Sequence, residues 1–430
     1  MAGLLFGVLC LLLIIGVPIA VSFGLSVIAV FFAGNHTMLF PSLPQRMFTS
    51  VDSFPFMAIP FFILAGNLMG EGGISRRLLA FMQVFLRRKP AALAKITTGT
   101  SVFFGSIAGS NPATVAAVGG ITIPAMIKKG YPRDLAAAIA ASSGTVGVIL
   151  PPSIPMVTYA VTANVSVATM FIAGIVPGLF IALALNSIHR FVCEKYEPAD
   201  KNAPRLSFKE FISVFKESFF ALLMPILILG GIYSGVFTPT EAAAVSCLYA
   251  FVISMFVYKE LKLIDLYPVF VKSAKTSGMI LFIISLSGPF SWYMTTQGIP
   301  AQIAEAVLST FGNKYVILFL MNFILLIIGL FLETQAVILL LTPILVPIAI
   351  SIGMPLVILG MIIVVNTSIG MITPPLAVNV FVASGIAKES VEKIFYRILP
   401  YLAVELFVLF LLTYFPRILT FLPELLGVKI

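Results

Sequence analysis

The chain has 430 residues, of which 60% are hydrophobic and 10% are charged, with a mean hydropathy of +1.11 and a formal net charge of +9. Soluble domains carry about 45–50% apolar and about 25% charged residues, so this composition excludes a soluble enzyme. Transmembrane β-barrels alternate apolar and polar residues, whereas the segment 317–332 is apolar almost throughout. We therefore predict an all-α polytopic membrane protein.

Long apolar segments recur along the whole chain. They cover residues 3–33, 54–70, 96–127, 133–164, 168–190, 218–236, 239–258, 277–296, 315–350, 355–386 and 398–415. The polar stretch 191–217 interrupts them, and we interpret it as a cytoplasmic linker between two halves, 1–190 and 218–430. The sequence contains no GxxxxGK[ST], GxSxG or HExxH motif, so we predict that the chain is not an enzyme and binds no transition metal.

The two halves resemble each other in the positions of their glycines and prolines. At a shift of 223 residues, Pro124, Gly130, Pro132, Gly147, Ile149, Pro151 and Pro152 coincide with Pro347, Gly353, Pro355, Gly370, Ile372, Pro374 and Pro375. One coincidence can arise by chance, because glycine and proline are common in this sequence. Seven at a single shift, including a double proline, indicate an internal repeat.

Charge predicts how the two repeats are oriented. Nine lysine and arginine residues flank the segment 96–127, whereas its repeat partner 315–350 has only Lys314 nearby. Because cytoplasmic loops are enriched in positive residues, we predict that 96–127 enters and leaves on the cytoplasmic side as a re-entrant hairpin. The segment 315–350 then forms a second hairpin from the opposite side. This orientation places 22 of the 26 lysine and arginine residues in the cytoplasm.

Each predicted hairpin is followed by a helix with a double proline, and we predict that these helices, 133–164 and 355–386, are broken. Inverted repeats that combine hairpins and broken helices are typical of secondary transporters. In the first hairpin, Pro112 suits the first turn of a new helix, which Ser110 or Asn111 would cap. A helix N-terminus inside the membrane attracts a carboxylate.

The double prolines leave carbonyl groups of the preceding turn without a backbone donor. Such carbonyls, together with serine, threonine and asparagine oxygens, suit Na⁺. We predict two related sodium sites, the first formed by Ser106, Ser110, Asn111, Gly144, Val146, Gly147 and Pro151, and the second by Thr334, Gln335, Thr367, Gly370, Met371 and Thr373. We predict substrate binding by Ser110, Asn111, Ser143, Thr145, Glu333, Asn366 and Ser368. For each small residue, close helix packing is the alternative role.

Glu333 is the only acidic residue that we predict within the membrane, and an intramembrane carboxylate indicates function. It is either a ligand or a proton carrier. We interpret His36 and His189 as interfacial loop residues, so no series of acidic residues and histidines is predicted for proton relay. No lysine or arginine is predicted at mid-membrane depth. Bound cations would therefore offset the charge of an anionic substrate, which favours Na⁺-coupled symport without another cofactor.

Five motifs together resemble the large membrane subunit of TRAP transporters, the DctM family. They are GSIAGSNPAT at 105–114, GGITIP at 119–124, GYP at 130–132, GxxxPP at 147–152 and FTPTEA at 237–242. The resemblance covers essentially the whole chain. It implies an elevator-type fold in the bacterial inner membrane, with a scaffold and a mobile transport domain built from both hairpins and both broken helices.

The resemblance also implies partners and a substrate class. The partners are a small four-helix membrane subunit of DctQ type, expected as a separate chain, a periplasmic substrate-binding protein and membrane lipid, with no nucleic acid. Family substrates are organic acids, including C4-dicarboxylates and sialic acid, and general likeness favours sialic acid. The alternatives are a stand-alone Na⁺/anion symporter that needs no binding protein and a non-transporting membrane subunit of a respiratory complex.

Overall fold

A computed structural model describes residues 1–35, 37–200 and 207–428. Within these ranges the protein is helical and has no β-strand, which confirms the predicted all-α class. His36, residues 201–206 of the predicted linker and residues 429–430 lie outside the described residues.

Among the described residues, twelve α-helices begin before the predicted linker, five of them before the first predicted hairpin and seven from that hairpin onwards. The first group is α1 (Ala2–Ile14), α2 (Ile19–Ala33), α3 (Ser42–Val51), α4 (Ala58–Glu71) and α5 (Ile74–Leu86). The second is α6 (Ala92–Ala108), α7 (Asn111–Thr114), α8 (Gly120–Lys128), α9 (Arg133–Ser143), α10 (Val146–Ile149), α11 (Ile154–Thr162) and α12 (Val167–Cys193). A π-helical turn, Val115–Gly119, joins α7 to α8.

The helices after the linker follow a comparable order. They are α13 (Phe208–Tyr233), α14 (Pro239–Val252), α15 (Leu263–Thr296), α16 (Ile299–Thr310), α17 (Lys314–Gly329), α18 (Thr334–Ser351), α19 (Leu356–Gly370), α20 (Val378–Ala387), α21 (Val391–Tyr414) and α22 (Arg417–Leu425).

Seven helices among the described residues are long and apolar enough to cross a membrane. They are Phe54–Glu71, Val167–Cys193, Phe208–Tyr233, Pro239–Val257, Leu263–Thr296, Thr334–Ser351 and Val391–Tyr414. An eighth span results if Arg133–Ile149 and Ile154–Thr162, which are bent by 41° at the break between them, are taken as one. The chain is therefore a multi-pass membrane protein.

The helix breaks lie in the middle of both predicted hairpins and at both double prolines. Gly109, with a φ of +57°, ends α6, and Ser110 is extended before α7 begins. Residues 330–333 separate α17 from α18, and the double prolines follow α10 and α19. The chain therefore reverses or bends where the sequence predicts, while the re-entrant course and inverted orientation of these segments stay predictions.

The broken helices form the centre of the molecule. Every residue of α9 from Leu135 to Ser143 and of α19 from Val357 to Gly370 is buried. By contrast α13 exposes large side chains, among them Phe208, Phe215 and Phe219. Helices that are apolar all round belong in the interior of a membrane protein, and outer helices present apolar side chains to lipid or to a partner.

Two pairs of glycines bring backbones into direct contact. A Cβ atom added to Gly105 would lie 2.8 Å from the Cα atom of Gly147, and one added to Gly370 would lie 2.7 Å from the carbonyl oxygen of Gly329. Only glycine allows α6 to reach α10, and α17 to reach α19, this closely. The second contact joins residues 223 and 224 positions after those of the first, as expected for a repeat.

We predict that Gly370→Ala destabilises the protein, because the added methyl group would push against the backbone of α17. Overpacking of this kind costs about 1–3 kcal/mol. The melting temperature of the purified protein should fall in this variant. Gly385→Ala in α20 is the matched control, because its Cβ would meet nothing within 4 Å. Equal melting temperatures for the two variants would contradict the close contact.

Candidate ion and substrate site

Asn111, at the first turn of α7, connects the tip of the first hairpin region to both broken helices. Its Oδ1 accepts a hydrogen bond from the Val148 N–H at 2.9 Å, and its Nδ2 donates to Ser368 Oγ at 2.7 Å. Ser368 Oγ in turn donates to the backbone carbonyl of Thr145 at 2.6 Å. All these side chains are buried. The structure thus brings together Asn111, Thr145 and Ser368, three of the residues that the sequence predicted for substrate binding.

Three oxygen atoms converge above Gly147. A Cβ atom placed on this glycine would lie 2.6 Å from Thr114 Oγ1, 2.9 Å from the carbonyl oxygen of Ser110 and 3.2 Å from Asn111 Oδ1. Carbonyl, hydroxyl and amide oxygens are the ligands of hard cations. Ser110, Asn111 and Gly147 of the first predicted sodium site therefore lie together. Thr114 was missed, although its position four residues after Ser110 puts it on the same helical face.

The other residues predicted for the first sodium site lie nearby with some oxygen atoms already bonded. Ser106 Oγ donates to the Phe103 carbonyl at 2.8 Å, and the Gly144 carbonyl accepts from the Gly147 N–H at 3.0 Å. Val146 and Pro151 are buried at the same break. Their assignment as ligands stays a prediction.

The second predicted sodium site contains two buried oxygens without a hydrogen-bond partner. Thr334 Oγ1 and Gln335 Oε1, at the start of α18, are unpartnered among the described residues. A buried polar atom left unpaired costs about 1–3 kcal/mol, so a cation at these oxygens would remove a cost. Thr367 and Thr373 donate their hydroxyls to carbonyls of their own segment, and Met371 Sδ instead contacts Asn111 Nδ2 at 3.5 Å.

A cavity of about 690 Å³ lies against the tip of the first hairpin region. Its lining combines Ser110, Glu333 and Met371, which the sequence predicted as site residues, with Asn67, Glu71, Lys272 and Thr276, which it did not. Small-molecule sites have volumes of about 300–1,000 Å³. Lys272, one of the lysines that we predict on the cytoplasmic side, lies within α15 and lines this cavity.

A second cavity, of about 360 Å³, adjoins the first. Asn67, Glu71 and Lys272 line both, and the smaller one continues past Glu260 and Asp265. Burial alone would raise the pKa of the Glu260 carboxyl, but hydrogen bonds and charges from Arg77 and Arg76 outweigh it and lower the pKa. The negative charge of Glu260 is thus partly neutralised at the edge of this cavity.

Five predicted substrate residues are absent from the cavity lining given by the described residues. Asn111, Ser143, Thr145, Asn366 and Ser368 are fully buried and bonded to other parts of the protein. Ser143 of α9, Thr145 at the break between α9 and α10, and Asn366 and Ser368 of α19 pack against neighbouring elements instead of facing the cavity. Of the predicted substrate residues, Ser110 and Glu333 line it.

Two buried hydrogen-bond networks occupy corresponding places in the two halves. In the first, Thr98 Oγ1 lies 2.7 Å from both Ser143 Oγ and His189 Nε2. In the second, Asn322 contacts Asn366 at 3.0 Å and Thr413 at 3.2 Å. The corresponding residues are 223 or 224 positions apart. This correspondence supports the predicted internal repeat.

The interpretation of His189 as an interfacial loop residue is wrong. His189 is fully buried within α12. Its Nε2 contacts Thr98 Oγ1, and its Nδ1 lies 3.4 Å from the Tyr401 hydroxyl. A buried imidazole is tolerated in an apolar interior when both ring nitrogens have partners.

The expectation that Glu333 is the only acidic residue within the membrane is also wrong. Glu405 lies in α21, is 0% exposed, and its Oε1 is 2.9 Å from Thr145 Oγ1. Its Oε2 has no hydrogen-bond partner in the described part of the chain. The sequence held the signal, because Glu405 is the one charged residue in the apolar segment 398–415.

The fold and site define a helical transport permease in which broken helices meet beside a ligand-sized cavity. Residues 6–418 match the family described as "Tripartite ATP-independent periplasmic transporter, DctM component". The chain belongs to this family and is the large permease subunit of a TRAP transporter, located in the bacterial inner membrane.

Curated relatives share this assignment. The chain is 44% identical to "Isethionate TRAP transporter permease protein DctMQ" of Oleidesulfovibrio alaskensis, over 96% of the chain and 65% of that protein. It is 37% identical to "C4-dicarboxylate TRAP transporter large permease protein DctM" of Rhodobacter capsulatus, over 99% of both chains. It is 34% identical to "Sialic acid TRAP transporter large permease protein SiaM" of Vibrio cholerae, over 99% of both chains.

A solved structure shares the fold at low sequence identity. The Alcanivorax borkumensis YdaH transporter superimposes with a TM-score of 0.63 over 95% of this chain and 97% of its own, at 15% identity. At this identity the likeness concerns the fold alone.

Proposed function

We propose that this chain is the permease of a Na⁺-coupled, binding-protein-dependent importer of a small organic anion. One observation carries the proposal: Ser110 belongs both to the oxygen cluster above Gly147 and to the lining of the 690 Å³ cavity. A cation held by the cluster lies directly behind a cavity wall. Its charge would lower the cost of bringing an anionic group into an apolar protein interior.

The cavity lining suits an anion that also carries hydrogen-bonding groups. Lys272 supplies a positive charge, and Ser110, Asn67 and Thr276 supply hydroxyl and amide groups. Glu333 and Glu71 favour a substrate with hydroxyl or amine donors besides its acidic group. Sialic acid, a C4-dicarboxylate and the hydroxysulfonate isethionate, after which the relatives are named, are the candidates that we propose to compare.

We propose two protein partners, a small four-helix membrane subunit of DctQ type and a periplasmic substrate-binding protein. A relative named DctMQ extends beyond the length that this chain covers, which supports a second membrane component. The exposed apolar side chains of α13, including Phe208, Phe215 and Phe219, offer a surface to that subunit or to lipid. We further propose an elevator movement of the two hairpin regions together with the broken helices. Asn111, Ser368 and Thr145 support this proposal for the first hairpin region, because they bond it to both broken helices.

Uptake into proteoliposomes tests the proposal. Liposomes would contain this chain with its small subunit, and uptake of labelled isethionate, succinate and sialic acid would be followed with and without an inward Na⁺ gradient and the binding protein. We expect uptake that requires both. Sodium-driven uptake without the binding protein would favour the stand-alone symporter, and no uptake of any of the three would contradict transport of these organic acids.

We predict that Asn111→Ala raises the sodium concentration needed for half-maximal uptake by about tenfold, because it removes one cluster oxygen and the bond to Ser368. Thr367→Ala should have a similar effect at the second predicted sodium site. Size-exclusion profiles would check that both variants assemble. Normal sodium activation in both would show that the ion sites are assigned wrongly.

We predict that Lys272→Gln raises the KM for the anionic substrate by about tenfold, a change of about 1.4 kcal/mol, and leaves the sodium dependence unchanged. The reason is the loss of a positive charge from the cavity lining. Lys275→Gln is the matched control, because Lys275 is exposed on the same helix outside that lining. Equal KM values for the two variants would contradict a role of Lys272 in substrate binding.

A further inference from the structure

The hydroxyl group of Thr145 has two oxygen neighbours and only one hydrogen to share. Thr145 Oγ1 lies 2.7 Å from the carbonyl oxygen of Ser142 and 2.9 Å from Glu405 Oε1. A carbonyl oxygen and an ionised carboxylate are both acceptors without a hydrogen. If Glu405 were ionised, one of the two contacts would therefore lack a full hydrogen bond.

A protonated Glu405 would supply the second hydrogen. The Ser142 carbonyl has none, and the shorter of the two contacts assigns the Thr145 hydrogen to it. A neutral Glu405 carboxyl group then donates its own O–H to Thr145 Oγ1. Each of the two contacts thereby has one hydrogen.

The surroundings of Glu405 favour the same protonation state. Its side chain is fully buried and forms no salt bridge within the described ranges. A buried, unpaired carboxylate costs several kcal/mol, and protonation removes this cost. Among the described residues no cation forms an ion pair with this carboxyl group, and Arg397, eight residues earlier in α21, pairs with Asp134 of α9 at 2.8 Å.

Among the described residues, the other titratable groups on the helices that pack against α21 have partners other than Glu405. His189 and Cys193 of α12 both contact the hydroxyl of Tyr401, one helical turn before Glu405. The residues of α19 and α20 include no titratable side chain. Glu405 is therefore the acidic group whose proton governs the contact with Thr145.

We propose that Glu405 is a proton-binding residue that positions the ion site as a neutral acid. Its O–H holds Thr145, whose backbone carbonyl accepts from Ser368, and Ser368 accepts from Asn111. Loss of the proton withdraws one hydrogen, so the Thr145 hydroxyl must turn away from Ser142 towards the carboxylate. Within the described chain, the Ser142 carbonyl then keeps only the bond from the Thr145 N–H at 3.1 Å. The break between α9 and α10, which carries the Thr145 carbonyl bound by Ser368, is therefore held less firmly.

Infrared spectroscopy tests directly whether the Glu405 carboxyl group is protonated. It does not require the protein to be active in transport. The purified full chain in lipid should show the carbonyl band of a protonated carboxylic acid at neutral pH. We expect Glu405→Gln to lose a component of this band that Glu333→Gln retains. Absence of the band from the unaltered protein, or an unchanged band in Glu405→Gln, would overturn the proposal.

A transport measurement tests the positioning role, and it rests on the proposed sodium-coupled function. The sodium concentration for half-maximal uptake should rise towards alkaline pH in the unaltered protein. Glu405→Gln keeps a donor for Thr145 and should keep the neutral-pH sodium affinity across the whole range. Glu405→Leu removes the donor and should raise this concentration about tenfold at every pH.

Two outcomes would contradict the positioning role. One is a Glu405→Gln variant that keeps the pH dependence of the unaltered protein, and the other is a Glu405→Gln variant as impaired as Glu405→Leu. Tyr401→Phe, which removes the hydroxyl facing His189, is the control and should keep the pH dependence. If the unaltered protein shows no sodium-driven uptake, the proposed function fails, while the infrared result still decides whether Glu405 carries a proton.

Discussion

Backbone N–H and C=O groups inside a bilayer have no water to bind, so each helix break must be satisfied by the protein itself. This chain breaks its helices at several places and buries the broken segments α9, α10 and α19 at its centre. Side chains then replace part of the lost backbone bonding, as where Asn111 Oδ1 accepts the N–H of Val148. The position of the site follows from this requirement, because the breaks and their polar partners gather in one place.

The two halves meet the requirement differently. At the first hairpin region, Asn111, Ser368 and Thr145 are bonded to one another across three elements. At the second, Thr334 and Gln335 are equally buried but keep oxygens without a partner in the described chain. The corresponding glycine contacts and the paired networks around Thr98 and Asn322 agree with the predicted internal repeat. The two tips differ in their polar side chains, which are bonded to one another at the first and keep unpartnered oxygens at the second.

Composition and the glycine and proline pattern were sufficient to predict the helical class and the places where helices break, because both depend on local chemistry. They did not predict which way each helix faces. Ser143 and Asn366 were assigned to the substrate by their position next to a break, but tertiary packing turns both towards neighbouring helices. Charge alone predicted a cytoplasmic position for Lys272 and did not indicate that it lines the cavity. Glu405 was visible as a single charge in an apolar segment, yet nothing in the sequence indicated its contact with Thr145.

The wall that the two cavities share has a consequence for movement between them. Under the proposed function, an anion passing from one space to the other would keep the same ammonium group within reach, because Asn67, Glu71 and Lys272 line both. Lys272 would then be a counterion shared by the two spaces. Discrimination between anions would therefore depend on the neutral and acidic side chains of the lining.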